Sequence, residues 1–187
     1  QGANAIAIGY TAATVLQGQF AISIGSNAGN SNQGFNSVAI GTDCASINQR
    51  TGAIAIGNQA GQATQGTNAI AIGATAGQNS QQSGAIAIGY QSGYIGATIG
   101  ATLGQDVNAI AIGSNAGTTL QGASAIAIGT NSGSSFQGAN SIAIGNFAGA
   151  SYQNTSAIAI GQNAGQNSQG NHSIAIGRSS GGATQGD

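Results

Sequence analysis

Apart from tyrosine, seven side chains in this chain could carry acid–base, nucleophilic or ionic chemistry: Cys44, His172, Asp43, Asp106, Asp187, Arg50 and Arg178. A thiol nucleophile needs a base within hydrogen-bond reach. Cys44 falls in the third and His172 in the tenth unit of the repeat described below. Seven rungs at ~4.8 Å separate them by roughly 34 Å, so no Cys–His pair forms within a chain. Asp43 and Arg50 share a unit but face different corners, which leaves at most a surface ion pair worth less than ~1 kcal/mol. A calcium-binding β-roll needs an Asp in every copy, and these copies lack it. GxG fragments occur without a βαβ setting and carry no phosphate-binding meaning. Cys44 reads as a small buried filler, because a lone free Cys behaves as a small hydrophobe. These residues predict no enzyme, no cofactor and no metal.

The composition narrows the field further. Charged residues are 3% of the chain, against ~25% in ordinary domains, and Lys, Glu, Pro, Met and Trp are absent. A net charge of -1 gives no footprint for nucleic acid or anionic lipid. No apolar run approaches the ~18–20 residues of a membrane helix, so no membrane insertion is expected, and no signal peptide is visible. The chain opens on Gln1 in mid-repeat, which reads as a fragment or a processed product.

The elements that position these residues are repeats. A Gly closes each AIAIG-like segment at Gly9, Gly25, Gly41, Gly57, Gly73, Gly89, Gly113, Gly129, Gly145, Gly161 and Gly177. The spacing is sixteen residues, except for twenty-four between Gly89 and Gly113. Numbered from the Ala or Ser that opens the segment, position 2 is Ile (Val38 once), position 4 is Ile, position 5 Gly, position 8 small and position 13 Gln. Alternation with period two argues a short strand, since four residues closed by Gly are too few for a helix. A sixteen-residue unit cannot bury its apolar face alone, so copies must stack. The expected fold is all-β: a parallel β-solenoid, or β-roll, of eleven sixteen-residue coils forming a single domain over 1–187, with an eight-residue insertion within 90–104. Gly at position 5, frequently at 9 and at 14, and Asn at 16 supply the positive-φ corners.

The expected core is the Ile pair of each coil: Ile6 and Ile8, Ile22 and Ile24, Val38 and Ile40, Ile54 and Ile56, Ile70 and Ile72, Ile86 and Ile88. It continues through Ile110 and Ile112, Ile126 and Ile128, Ile142 and Ile144, Ile158 and Ile160, and Ile174 and Ile176. The Ala or Ser at positions 1 and 3 would then form a flat outward face, small and uncharged. Position 13 holds Gln17, Gln33, Gln49, Gln65, Gln81, Gln105, Gln121, Gln137, Gln153, Gln169 and Gln185. Stacked amides of this kind form a hydrogen-bond ladder; a polar binding row is the alternative. Position 12 varies between Leu16, Leu120, Phe136, Tyr152 and polar residues, and so belongs outside. The insertion carries Tyr90, Tyr94, Ile95, Ile99 and Leu103. With Phe136 and Tyr152, the residues Tyr90, Tyr94 and Ile95 are the candidate contact positions.

The recurring AIAIG, with NSVAIG from Asn36 to Gly41 and NSIAIG from Asn140 to Gly145, resembles the head repeat of trimeric autotransporter adhesins, the YadA-like head. The resemblance covers all eleven coils on five or six residues each. It implies a left-handed parallel β-roll, three chains in association and a bacterial cell-surface adhesin. The coil here is longer than the usual one of that family, and its continuation beyond AIAIG differs.

The functional expectation is a structural or adhesive extracellular protein, the head or shaft of an appendage at a cell or virion surface. Its partners would be copies of itself, as trimer or filament, and a host or matrix surface. A self-assembling filament or virion fibre subunit is the second reading, and an ice-binding solenoid the third, although positions 1 and 3 lack the Thr ladder such surfaces want. A disordered chain fits the composition but not Ile in unbroken register.

Overall fold

The computed structural model describes residues 1–94 and 104–186. Among these residues every regular element is a short β-strand, and two strands alternate along each coil except the long one, where isolated bridges at Gln105 take the place of the second strand. The strands are β1 (Ile6–Ile8), β2 (Val15–Gln17), β3 (Ile22–Ile24), β4 (Ser31–Gln33), β5 (Val38–Ile40), β6 (Asn48–Gln49) and β7 (Ile54–Ile56). They continue as β8 (Thr64–Gln65), β9 (Ile70–Ile72), β10 (Ser80–Gln81), β11 (Ile86–Ile88), β12 (Ile110–Ile112), β13 (Leu120–Gln121) and β14 (Ile126–Ile128). The last are β15 (Phe136–Gln137), β16 (Ile142–Ile144), β17 (Tyr152–Gln153), β18 (Ile158–Ile160), β19 (Ser168–Gln169), β20 (Ile174–Ile176) and β21 (Thr184–Gln185).

The Ile-bounded strands form one parallel sheet of eleven, and the Gln-ending strands form two parallel sheets of five. Register is strict: Ile54 pairs with Ile70, Ala55 with Ala71 and Ile56 with Ile72, one coil apart. The chain is a parallel β-solenoid of about eleven turns.

Corners form where the sequence tolerates positive φ. Gly at position 5 adopts φ of 110 to 133°, and Asn, Ser, His, Gly or, once, Phe20 at position 16 closes the other end with φ of 53 to 70°. Position 7 is also left-handed in every coil, including Thr11, Gln59 and Phe147, a feature its variable residue types do not signal. Gly at position 14 has a different reason from the expected one. Its φ is not positive, but a Cβ on Gly34 would fall 2.6 Å from the Arg50 carbonyl carbon of the next rung. It is needed for close approach rather than for a left-handed turn.

The inside and outside of the first sheet are reversed relative to the sequence expectation. The Ile and Val residues that begin and end β1, β3, β5, β7, β9, β11, β12, β14, β16, β18 and β20 point outward, half-buried or exposed. Ile56 keeps 36% of its surface and Ile176 65%. Beyond the first coil, Ala at positions 1 and 3, expected on a flat outer face, is fully buried, as in Ala53, Ala55, Ala69, Ala71, Ala125 and Ala127. The physical reason is width. The left-handed Gly at position 9 packs so close to the position-3 methyl that a Cβ on Gly61 would lie 3.4 Å from Ala55 Cβ and 3.0 Å from Gln65 Oε1. Only a methyl, or the hydroxymethyl of Ser23, fits there. The core is therefore Ala, the small residue at position 8 and Gln, with Cys44 among the fully buried side chains.

The solenoid continues across the long coil without an extra rung: β11 pairs directly with β12, Ile86 with Ile110. Gly93 N–H donates to Ala116 O, and Gln105 bridges Gln81 and Gln121. The additional residues thus lie between Gly93 and Gln105. Ile95, Ile99 and Leu103 fall outside the described residues.

Candidate functional surfaces

Three parallel features run the length of the roll: the buried Gln row, the Ile strip and an outer row at position 12. The Gln row is built from inside. Each Gln closes a second strand, so its side chain crosses the interior to the first sheet. Gln65 Nε2 donates to Ile54 O (2.6 Å), Ala69 O (3.2 Å) and Gln81 Oε1 (3.2 Å). Side-chain links join Gln33 to Gln49, Gln65, Gln81 and Gln105 in turn, and Gln121 to Gln137, Gln153 and Gln169. The ladder stops between Gln105 and Gln121, where Gln121 Oε1 is buried without a donor. Gln17 Oε1 and Gln185 Oε1 are likewise unpartnered. In the second coil Ser23 Oγ takes the place of the preceding Gln, donating to Gln33 Oε1 at 2.7 Å. Gln17 through Gln169 are almost fully buried, so this row is internal scaffolding and offers no binding surface.

The Ile strip is the opposite case. Two rows of branched side chains stand on the outer face of an eleven-stranded sheet. Ten gaps of ~4.8 Å and a width of ~10 Å make roughly 500 Å² of projected apolar face. That reaches the ~300–600 Å² of the largest patch on a typical monomer, and here it is one uninterrupted strip. β-branched residues suit such a pleated, half-buried surface.

The candidate contact residues do not form one site. Tyr90 is 56% exposed at the corner after β11, and Tyr94 is half-buried. Ile95 lies outside the described residues. Phe136 and Tyr152 do meet, on the second sheet: their ring centroids are 6.2 Å apart with planes at 32°. Phe136 lines a cleft of 240 Å³ together with Leu120, Gly122, Gly138 and Asp106, and Tyr152 stands beside it as the next residue of the row. A second cleft, of 520 Å³, is lined by Leu16, Gly18, Gly34 and Phe35, with its aromatic ring at position 15 and no charged residue. Phe35 was not singled out by the sequence, because position 15 has no periodic residue type.

The titratable residues stay apart. Asp43 accepts from Asn27 Nδ2 at 2.9 Å rather than pairing with Arg50. Cys44 is buried with Sγ 3.5 Å from Ala55 O, and burial pushes its thiol up to about 12. That thiol is no nucleophile at neutral pH. Among the described residues no group of three or more His, Cys, Asp or Glu could hold a metal, and no helix is long and apolar enough to cross a membrane.

Residues 107–132, 121–148 and 137–164 each match the YadA head domain repeat, described as two copies. Residues 107–164 carry YadA-like head repeats. The match spans about a third of the chain, in coils whose backbone register is the same as that of the others. The YadA-like head is an adhesin-type surface repeat, not an enzyme fold. No curated protein matches the chain.

Proposed function

We propose that the chain is the adhesive head of an extracellular bacterial surface appendage, formed by three chains whose Ile strips close on a common axis. The YadA head match carries the surface-adhesin reading, and the outward Ile strip carries the self-association. Three strips of roughly 500 Å² would bury about 1,500 Å² over the whole trimer, or about 500 Å² for each pair of chains, so the strip is the centre of a contact whose rim supplies the rest of a standard ~1,200–2,000 Å² pairwise interface. With two cations and three anions in the whole chain, almost no charge opposes that contact. The Gln row and the Ala core hold each rod rigid, and the second sheet is left facing outward for a host cell or matrix surface.

Adhesion is tested with beads coated with the intact chain, applied to epithelial cells and to immobilised extracellular matrix. The reading predicts saturable attachment that soluble chain competes away. Attachment no greater than that of albumin-coated beads on every surface would contradict it.

A further inference from the structure

We propose that the outer cleft across coils five to nine is a saccharide subsite for a neutral sugar ring. The inference rests on the adhesive reading and gives it a ligand class. Its floor is bare main chain: a Cβ on Gly122 would fall 2.6 Å from Ala139 N, and one on Gly138 2.6 Å from Thr155 N. No side chain can occupy that floor without moving the next rung. One wall is Leu120 and Phe136, extended by the Tyr152 ring, which is 61% exposed. A tilted, exposed aromatic pair offers negative ring faces to the polarised C–H edge of a pyranose. The end of the cleft is Asp106, whose Oδ1 accepts from Val107 N–H at 2.7 Å and is thereby fixed in place.

Charge selects the class of sugar. Asp106 is the one charged residue lining the cleft, so a carboxylated or sulfated sugar is repelled while hydroxyl groups find an acceptor. At 240 Å³ the cleft is smaller than the ~300–1,000 Å³ that takes a whole drug-sized ligand, which suits one ring of a longer chain. The cleft at Leu16, Gly18, Gly34 and Phe35 shares the Leu and the paired glycines but has its aromatic at position 15 and no carboxylate. Between the two, position 14 is Arg50, Gly66, Gln82 and Asp106, with no two glycines in succession. Both clefts lie on the sheet opposite the Ile strip, so self-association leaves them open.

The test titrates the intact chain with chitotriose and cellotriose as neutral probes, sialyllactose as an anionic one and a neutral octapeptide, followed by saturation-transfer NMR. Phe136→Thr and Tyr152→Ser are safe variants, because the same row already holds Thr64 and Ser168. Expected is saturable binding of a neutral trisaccharide, at least about tenfold weaker in either variant. Sialyllactose should bind more weakly, with the gap narrowed in Asp106→Asn. Saturable binding of no neutral sugar, binding unchanged in both aromatic variants, or preference for the peptide would each overturn the proposal. Bead attachment and oligomer mass are read separately, so loss of the sugar site with attachment intact would sink this inference and leave the adhesive reading standing.

Discussion

Replacing Gln153 with Leu isolates what the internal amide row does, because the volume is nearly conserved and no large cavity is made. Gln153 is fully buried. Its Nε2 faces Ile142 O at 2.7 Å, Ala157 O at 3.2 Å and Gln169 Oε1 at 3.1 Å, and its Oε1 accepts from Gln137 Nε2 at 3.2 Å. Two amide hydrogens serve three acceptors, so about three full hydrogen bonds are lost at ~1 kcal/mol each. Gln169 Oε1 also becomes a buried acceptor without its donor, which costs a further ~1–3 kcal/mol. Gln137 Nε2 keeps Ile126 O at 2.7 Å for one hydrogen and loses the acceptor of the other. The expected loss is therefore at least about 4–6 kcal/mol, felt mainly in the neighbouring rungs because a solenoid couples each coil only to its neighbours. Urea unfolding followed by circular dichroism reads it. Gln17→Leu is the internal comparison: Gln17 Oε1 is unpartnered, its Nε2 reaches Ile6 O and Ala21 O, and about half the loss is expected. A cost below ~1 kcal/mol for Gln153→Leu would refute the reasoning and make the row mere filler.

Ala71→Leu should destabilise by at least ~1–3 kcal/mol through overpacking, whereas Ile72→Ala should cost the folded coil less than the ~2–5 kcal/mol of a true core deletion; the reverse order in thermal melts would restore the Ile-inside arrangement. Gly73→Ala should lose rungs on both sides, since φ is +124° and its Cβ would fall 2.6 Å from Gly89 O, and hydrogen exchange localises the damage. Cys44, raised from 9.0 to about 12 by burial, keeps its proton in the native state where the unfolded chain has lost it. Stability from that proton is full below pH 9 and falls as pH rises from 9 towards 12, and Ellman's reagent at pH 8 should label Cys44 only in urea. Cys44→Ala should abolish that part of the alkaline loss; an unchanged pH profile would show that other groups cause it.

The period was legible because Gly at position 5 and Gln at position 13 recur without exception, and stacking follows from a unit too small to bury itself. Which face points inward was not legible. Alternation of Ala with Ile is symmetric under exchange of inside and outside, and hydrophobicity alone favours burying Ile. The deciding quantity is the width of the roll, set by the left-handed Gly at position 9 and by a Gln that spans the interior, and neither distance is written in a residue type. The Gln row itself is visible in the sequence, but its role in filling the core follows only once the Ile residues are placed outside. The cleft at Phe136 was half legible: the outward row at position 12 was evident, whereas its glycine floor depends on a close approach between rungs that pairs residues sixteen apart.

The account stands on an outward Ile strip, which the proposed function covers with other copies of the chain. Multi-angle light scattering of the intact chain measures this most directly, alongside a variant with Lys at Ile72, Ile112 and Ile144. The prediction is a particle of about three times 17.8 kDa, falling towards a single chain in the triple variant while the β signal in circular dichroism persists. A folded, soluble particle of 17.8 kDa from the unaltered chain, with its Ile strip exposed, would contradict it.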